Sequence, residues 1–145
     1  MNYEEHGFVK NKYMEDLGLL PHEYGTNFCD KLDEPERWEA WEKERETYGF
    51  DNRETWCVDR MFYEWLYSHL QMYLEYTIAD LTFYKFEYTP TGSTESITVT
   101  QEEAINIIKE EAKRMILQDE WDKDAKPFDT NIMVLFSKIL PALWW

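Results

Sequence analysis

The sequence predicts a mainly helical α+β fold, with a long central helix at about 52–76 packed with two or three further helices and one small β-hairpin at about 82–99. Two changes of period and one composition carry this expectation. Val58, Phe62, Trp65, Leu66, His69, Leu70 and Tyr73 recur at helical spacing, while Arg60, Glu64, Ser68, Gln71 and Glu75 fall on the other side. Further on the period changes to two: Phe83, Lys85 and Glu87 alternate with Tyr84, Phe86 and Tyr88, ahead of a turn at Pro90 and Gly92 and the β-branched run "SITVT". Finally, 145 residues that are 43% hydrophobic and 17% aromatic suffice to close the core of a single domain spanning 1–145.

In chain order, residues 1–31 show neither period, and "LLPHEYGTNF" holds turn residues at Pro21, Gly25 and Asn27. This segment is expected to be mostly irregular, with a short helix near 11–18, before a helical core over 33–140. In "LDEPERWEAWEKERETYG" Asp33 is placed to cap a helix of roughly 34–47, Pro35 suits its first turn and Gly49 its end. Its apolar face is thin, with Trp38 and Trp41 as the packing residues. In "GFDNRETWCVDRMFYEWL" Asp51 and Glu54 have the spacing of a reciprocal capping box, with Phe50 placed to fold over the first turn. On that reading Asp51→Ala costs about 1 kcal/mol.

The hairpin strands are expected at about 82–88 and 95–99. Thr100 and Glu103 then cap a helix at about 101–118, with Ala104, Ile105, Ile108, Ala112, Met115 and Ile116 inward and Glu110 paired with Arg114 outside. After "DEWDKDAKPFD", Asp129 or Thr130 starts a last helix running to about Leu140, where Pro141 disturbs it.

Thirty acids against fifteen bases give a formal charge of −15, densest in residues 1–50. Such a charge disfavours binding to nucleic acid or to an anionic membrane and favours a basic partner. Cys29 and Cys57 stand at no metal-like spacing and are expected as free thiols, and the three histidines His6, His22 and His69 form no ligand pattern. His69, on the apolar side of the central helix, reads as a core histidine. Glu111 to Lys113 and Asp124 to Lys126 match the acid-x-lysine spacing of some magnesium nucleases, but they fall in a helix and a linker rather than on a strand. With no nucleophile elbow and no phosphate-binding glycine loop, the reading is a protein that is not an enzyme and needs no cofactor or metal. The apolar run "IMVLFSKILPALWW" is interrupted by Lys138 and Pro141 and is too short to span a bilayer.

The segments "RETWCVDRMFYEWLYSHLQMYLEY" and "DLTFYKFEY...TQEEAINII" resemble a group of small, uncharacterised phage and prophage proteins that share an E-T-W-x-x-D helix start, a W-L-x-x-x-L-x-x-Y continuation and a T-Q-E-E helix. The resemblance covers about residues 49–116 and implies a phage context, hence the cytoplasm of a bacterial host, but no activity.

Glu36, Glu39, Glu42 and Glu46 are spaced to lie along one side of a helix, with neighbouring carboxylates roughly 5–6 Å apart, comparable with phosphates along a strand. Arg37, Lys43 and Arg45 would partly neutralise them. With Trp38 and Trp41 at its edge, and Glu34 and the acids at 119–124 extending it, this stripe is the expected binding face for the nucleic-acid groove of a basic host defence protein, such as a restriction or CRISPR-type effector. An alternative of a different class is an oligomer that stacks a nucleotide-like signalling molecule between aromatic side chains. Leu143, Trp144 and Trp145, beyond a helix breaker, are the expected contact of a homodimer.

Overall fold

The computed structural model describes residues 1–144 and contains six α-helices, three short 3-10 turns and one antiparallel hairpin, in agreement with a mainly helical α+β fold. The chain packs as two compact units, residues 1–64 and 65–145. Trp145, one of the three expected dimer-contact residues, lies outside the described residues.

In the first unit, residues 1–31 form two short helices, α1 (Tyr3–His6) and α2 (Lys12–Asp16), followed by a 3-10 turn at Pro21–Glu23. Little of this segment is periodic, yet side chains bonded to backbone hold it in place. The buried Asn27 bridges two chain segments: its Nδ2 donates to the carbonyls of Val9 (2.9 Å) and Pro21 (2.8 Å), while its Oδ1 accepts from the Val9 amide (2.9 Å). The hydroxyls of Tyr3 and Tyr24 both donate to Oε1 of Glu15. The Tyr3 bond, then the Tyr24 bond, stabilise the charged form and hold that carboxyl below the usual glutamate range. Phe8, Met14 and Tyr24 are the apolar residues buried beneath this network.

Helix α3 (Pro35–Tyr48) opens on Pro35 and closes on Gly49, whose positive φ of 85° and bond from its amide to the Arg45 carbonyl (2.9 Å) make a left-handed stop. Asp33 does not cap it. The N-cap is Glu34, whose side chain makes no cap bond and pairs instead with Arg37 at 3.0 Å.

The central helix is shorter than expected. Asn52–Thr55 is a separate 3-10 turn, and α4 runs from Val58 to Tyr76. Asp51 is an N-cap, as expected, but of that 3-10 turn and without the reciprocal Glu54 bond: its carboxylate accepts from the Arg53 amide and guanidinium. Phe50 is about half exposed. In α4 the helical period is right but the apolar side is placed wrongly in part: Leu66 and Leu70 are buried, whereas Val58, Trp65 and His69 are exposed.

Glu64, expected on the polar side, is only 5% exposed. Its Oε1 accepts from the Gly25 amide at 2.8 Å, and its Oε2 lies 3.4 Å from Arg60 Nε without a hydrogen bond. Burial pushes the Glu64 carboxyl above the usual glutamate range, against the opposing pull of Gly25 and Arg60. A carboxyl raised in the folded state costs stability as pH climbs from the unfolded value, about 4.3, through the folded one. Glu64→Gln does not titrate, so its stability relative to the parent should shift in the variant's favour over that rise and be constant on either side. Urea midpoints measured at intervals from pH 3.5 to pH 8 check this, and a flat difference across the range contradicts it.

In the second unit, β1 (Lys85–Tyr88) pairs antiparallel with β2 (Ile97–Thr100), with Phe86 opposite the buried Val99. Helix α5 (Gln101–Leu117) starts from the expected capping box, in which Thr100 Oγ1 accepts from the Glu103 amide (3.1 Å) and Glu103 Oε1 accepts from the Thr100 amide (3.2 Å). Ala104, Ile105, Ile108, Ala112 and Ile116 are buried, as the helical period requires. Helix α6 (Thr130–Ile139), capped by Asp129, packs against α5 and β1 and buries Leu135, Phe136 and Ile139. A 3-10 turn at Leu140–Ala142 follows, and the Ala142 carbonyl accepts from the buried Gln101 side chain at 3.0 Å. Lys109 Nζ donates to Gln71 Oε1 of α4 at 2.7 Å. Arg114 pairs with Glu111 (2.5 Å), not with Glu110 as expected. No helix among the described residues is long and apolar enough to cross a membrane.

Candidate functional site: the acidic face of helix α3

Helix α3 has two chemically distinct sides, and the inner one explains the outer one. Trp38 and Trp41 are 5% and 2% exposed and meet edge to face with ring centroids 5.2 Å apart. Against them lies Arg53, the largest fully buried side chain, with its guanidinium 4.5 Å from the Trp38 ring centre and 4.4 Å from that of Trp41. Both carboxylate oxygens of Asp51 receive it, Nε donating to Oδ1 at 2.9 Å and Nη2 to Oδ2 at 2.8 Å. This is the paired fork geometry suited to guanidinium and carboxylate. Burial works to raise the Asp51 carboxyl, but the Arg53 bonds and charge, joined by Arg45 at 3.3 Å, outweigh it and hold the group below the usual aspartate range.

The expected placement of Trp38 and Trp41 at the edge of a binding patch is therefore corrected: they are the floor under α3. A helix with so few apolar residues uses two large rings to bury its inner side, and the Arg53 cation lies over both of them. Trp41 Nε1 also donates to Asn52 Oδ1 at 3.2 Å.

On the outer side Glu36, Glu39, Glu42 and Glu46 are all exposed, as their spacing predicts. The helix's own cations do not neutralise this face in the expected way. Arg37 pairs with Glu34 and stacks over Trp41 (4.9 Å) and Trp56 (5.3 Å), while Arg45 turns to Asp51 and lies 5.9 Å from the Trp38 ring centre. Lys43 does reach the stripe, meeting Glu39 at 3.4 Å with both side chains largely exposed. Among the described residues, Glu36, Glu42 and Glu46 have no ion pair or side-chain hydrogen bond. Glu44, outside the stripe, is used structurally, accepting from the Asn52 amide (2.6 Å) and side chain (3.1 Å).

Sequence reasoning missed Arg53, Asn52 and Glu44. A signal was present in the arginine two residues after Asp51, which offers that carboxylate a donor other than the Glu54 backbone. The acids at 119–124 are exposed but belong to the second unit.

The remaining chemistry-bearing residues are dispersed. Cys29 is buried and Cys57 half-buried, neither is in a disulfide, and burial raises the Cys29 thiol. His6 pairs with Asp30 at 2.7 Å. His69 is exposed, which corrects its assignment to the core. Among the described residues no three His, Cys, Asp or Glu side chains are grouped to hold a metal ion. Glu111, of the first acid-x-lysine triplet, is buried against Arg114 and accepts from the Asp129 amide at 2.7 Å. Lys113, Asp124 and Lys126 share an open hollow of about 520 Å³ with Glu110, Arg114, Leu117 and Gln118. In comparisons with known proteins, the chain matches no family model, no curated protein and no solved structure.

Proposed function

We propose that this chain is a phage-encoded acidic binding protein that inhibits a basic, nucleic-acid-handling host defence protein, of the restriction or CRISPR-effector kind, by occupying its nucleic-acid groove. The observation that carries this reading is the division of charge on α3. Two arginines are drawn to the tryptophan side and three of the four outward carboxylates are left without a cation. A row of anions on one helix face, their Cβ atoms about 5–6 Å apart, is what a groove built for phosphates attracts, and the net charge of −15 steers such a groove toward the protein. The role is competitive, so it needs neither a catalytic group nor a cofactor.

The test uses a panel of purified effectors, each loaded with a labelled duplex, and measures displacement of the duplex at low and high salt. The parent should displace duplex from at least one effector, less well as salt rises, since exposed charges are screened beyond roughly 10 Å at 0.1 M. The variant carrying Gln at positions 36, 39, 42 and 46 keeps the helix and should bind that effector at least about fourfold more weakly, the sum of four exposed pairs at about 0.2–1 kcal/mol each. Equal inhibition by parent and variant, or a ternary complex that retains its duplex, overturns the reading. A nucleotide found bound to the purified protein by aromatic side chains would favour the small-molecule alternative.

A further inference from the structure

The second unit carries an uncharged aromatic stripe that the acidic face does not use. Trp65, His69, Met72 and Tyr76 recur at intervals of four, three and four residues, so they line one side of α4 over about 16 Å. His69 is exposed, and Trp65, Met72 and Tyr76 are 50%, 50% and 60% exposed, while Leu66 and Leu70 bury the opposite side. The His69 ring stacks on Trp65 with centroids 4.4 Å apart, and its Nδ1 lies 2.7 Å from the Trp65 carbonyl. His69, Met72, Tyr73 and Tyr76 line a shallow apolar hollow of about 440 Å³. The Tyr73 hydroxyl donates to the Trp144 carbonyl at 3.0 Å, which brings the 66%-exposed Trp144 to the stripe's edge.

We infer that this stripe is the contact of a homodimer in which α4 packs antiparallel against α4 of a second copy. Two arguments select a second copy. The spacing of the stripe is the same read in either direction: a two-fold axis between Leu70 and Gln71 sets Trp65 against Tyr76 and His69 against Met72, each pair occurring twice. The area also suffices. At about 150–250 Å² for a large aromatic side chain, the uncovered parts of Trp65, Met72, Tyr76 and Trp144 amount to about 500 Å² per copy. With these parts wholly covered, a pair would bury about 1,000 Å², the size of a weak, reversible interface. Leu143 is half-buried, so within the C-terminal segment Trp144 is the described residue that reaches the contact.

The dimer forms against the repulsion of two chains of charge −15. Added salt screens that repulsion and should tighten it, opposite in sign to the salt effect on binding through α3. Failure of this inference and failure of the proposed function are thereby separable.

Sedimentation of the full chain up to about 200 µM should show reversible dimerisation with a Kd in the micromolar range, tighter at 500 mM than at 50 mM salt. Trp65→Glu with Tyr76→Glu should be monomeric at every concentration while keeping the parent's helical circular dichroism. A second measurement leaves most of the stripe intact. In a background of Cys29→Ser and Cys57→Ser, chains carrying His69→Cys mixed with chains carrying Met72→Cys should form an interchain disulfide faster than either chain alone. A monomeric parent at about 200 µM, a folded double variant that still dimerises, or a mixture that cross-links no faster than its components overturns the inference.

Discussion

Arg53→Ala should destabilise residues 1–64 by about 3–5 kcal/mol, the loss typical when one member of a buried ion pair is removed and the other stays behind. The substitution leaves Asp51, 2% exposed, with the amide of residue 53 and the more distant Arg45 as partners, and empties the space beside the Trp38 and Trp41 rings. Urea unfolding followed by tryptophan fluorescence measures the change. Arg53→Lys keeps the charge but not the fork and should fall between parent and Ala. The Asp51→Leu, Arg53→Met pair removes both charges and should recover much of the Ala loss, as apolar replacements of buried pairs commonly do. A loss below about 1 kcal/mol for Arg53→Ala would mean that the cluster contributes no more than an exposed pair.

Gly7→Ala should be the other severe change. Gly7 has φ +70°, and a Cβ built there would stand 2.3 Å from Cζ2 of Trp38, a buried ring already in contact with Trp41 and Arg53. The left-handed backbone costs an alanine about 1–2 kcal/mol, and displacing a packed ring about 1–3 kcal/mol more. Gly18, with φ +91° and no atom within 4 Å of its Cβ position, isolates the backbone part. Gly18→Ala should therefore lose only about 1–2 kcal/mol. Equal losses at the two glycines would show that Trp38 yields freely.

What could be read from the sequence was whatever neighbouring residues decide among themselves. The Thr100 and Glu103 box, the α5 core positions, the Asp129 cap and the Gly49 stop each depend on residues within a turn or two, and each lies where its spacing put it. Local signals misled where a distant or competing partner was stronger. Asp51 does cap, through the Arg53 amide, but a buried guanidinium shares its carboxylate, the turn it starts is a short 3-10 one, and the long helix starts only at Val58. Arg114 could meet Glu110 or Glu111 by spacing alone, and Glu111 also accepts from Asp129, a contact no local pattern encodes. In α4 large apolar residues lie on more than one side, so periodicity located the helix without saying which side is covered. The order of residues 1–31 rests on Asn27 and Glu15, whose side chains do the joining that strands would otherwise do. For the candidate site, the exposed carboxylates were legible and the burial of Trp38 and Trp41 was not. Their spacing is compatible with either an edge or a floor, and Arg53, the residue that decides, sits in another element.

The two sides of α3 also differ in how freely their sequence can change. Trp38, Trp41 and Glu44 are tied to residues outside the helix, so replacing any of them is felt by Asn52 or Arg53. Glu36, Glu42 and Glu46 are tied to nothing the fold needs. In a saturation scan scored once for folding and once for inhibition, Glu42 and Glu44, two positions apart, should therefore fall into different classes. If the chain occupies a groove as proposed, a changing target would let the outer row be rewritten one residue at a time at constant stability, with the same scaffold following the new groove.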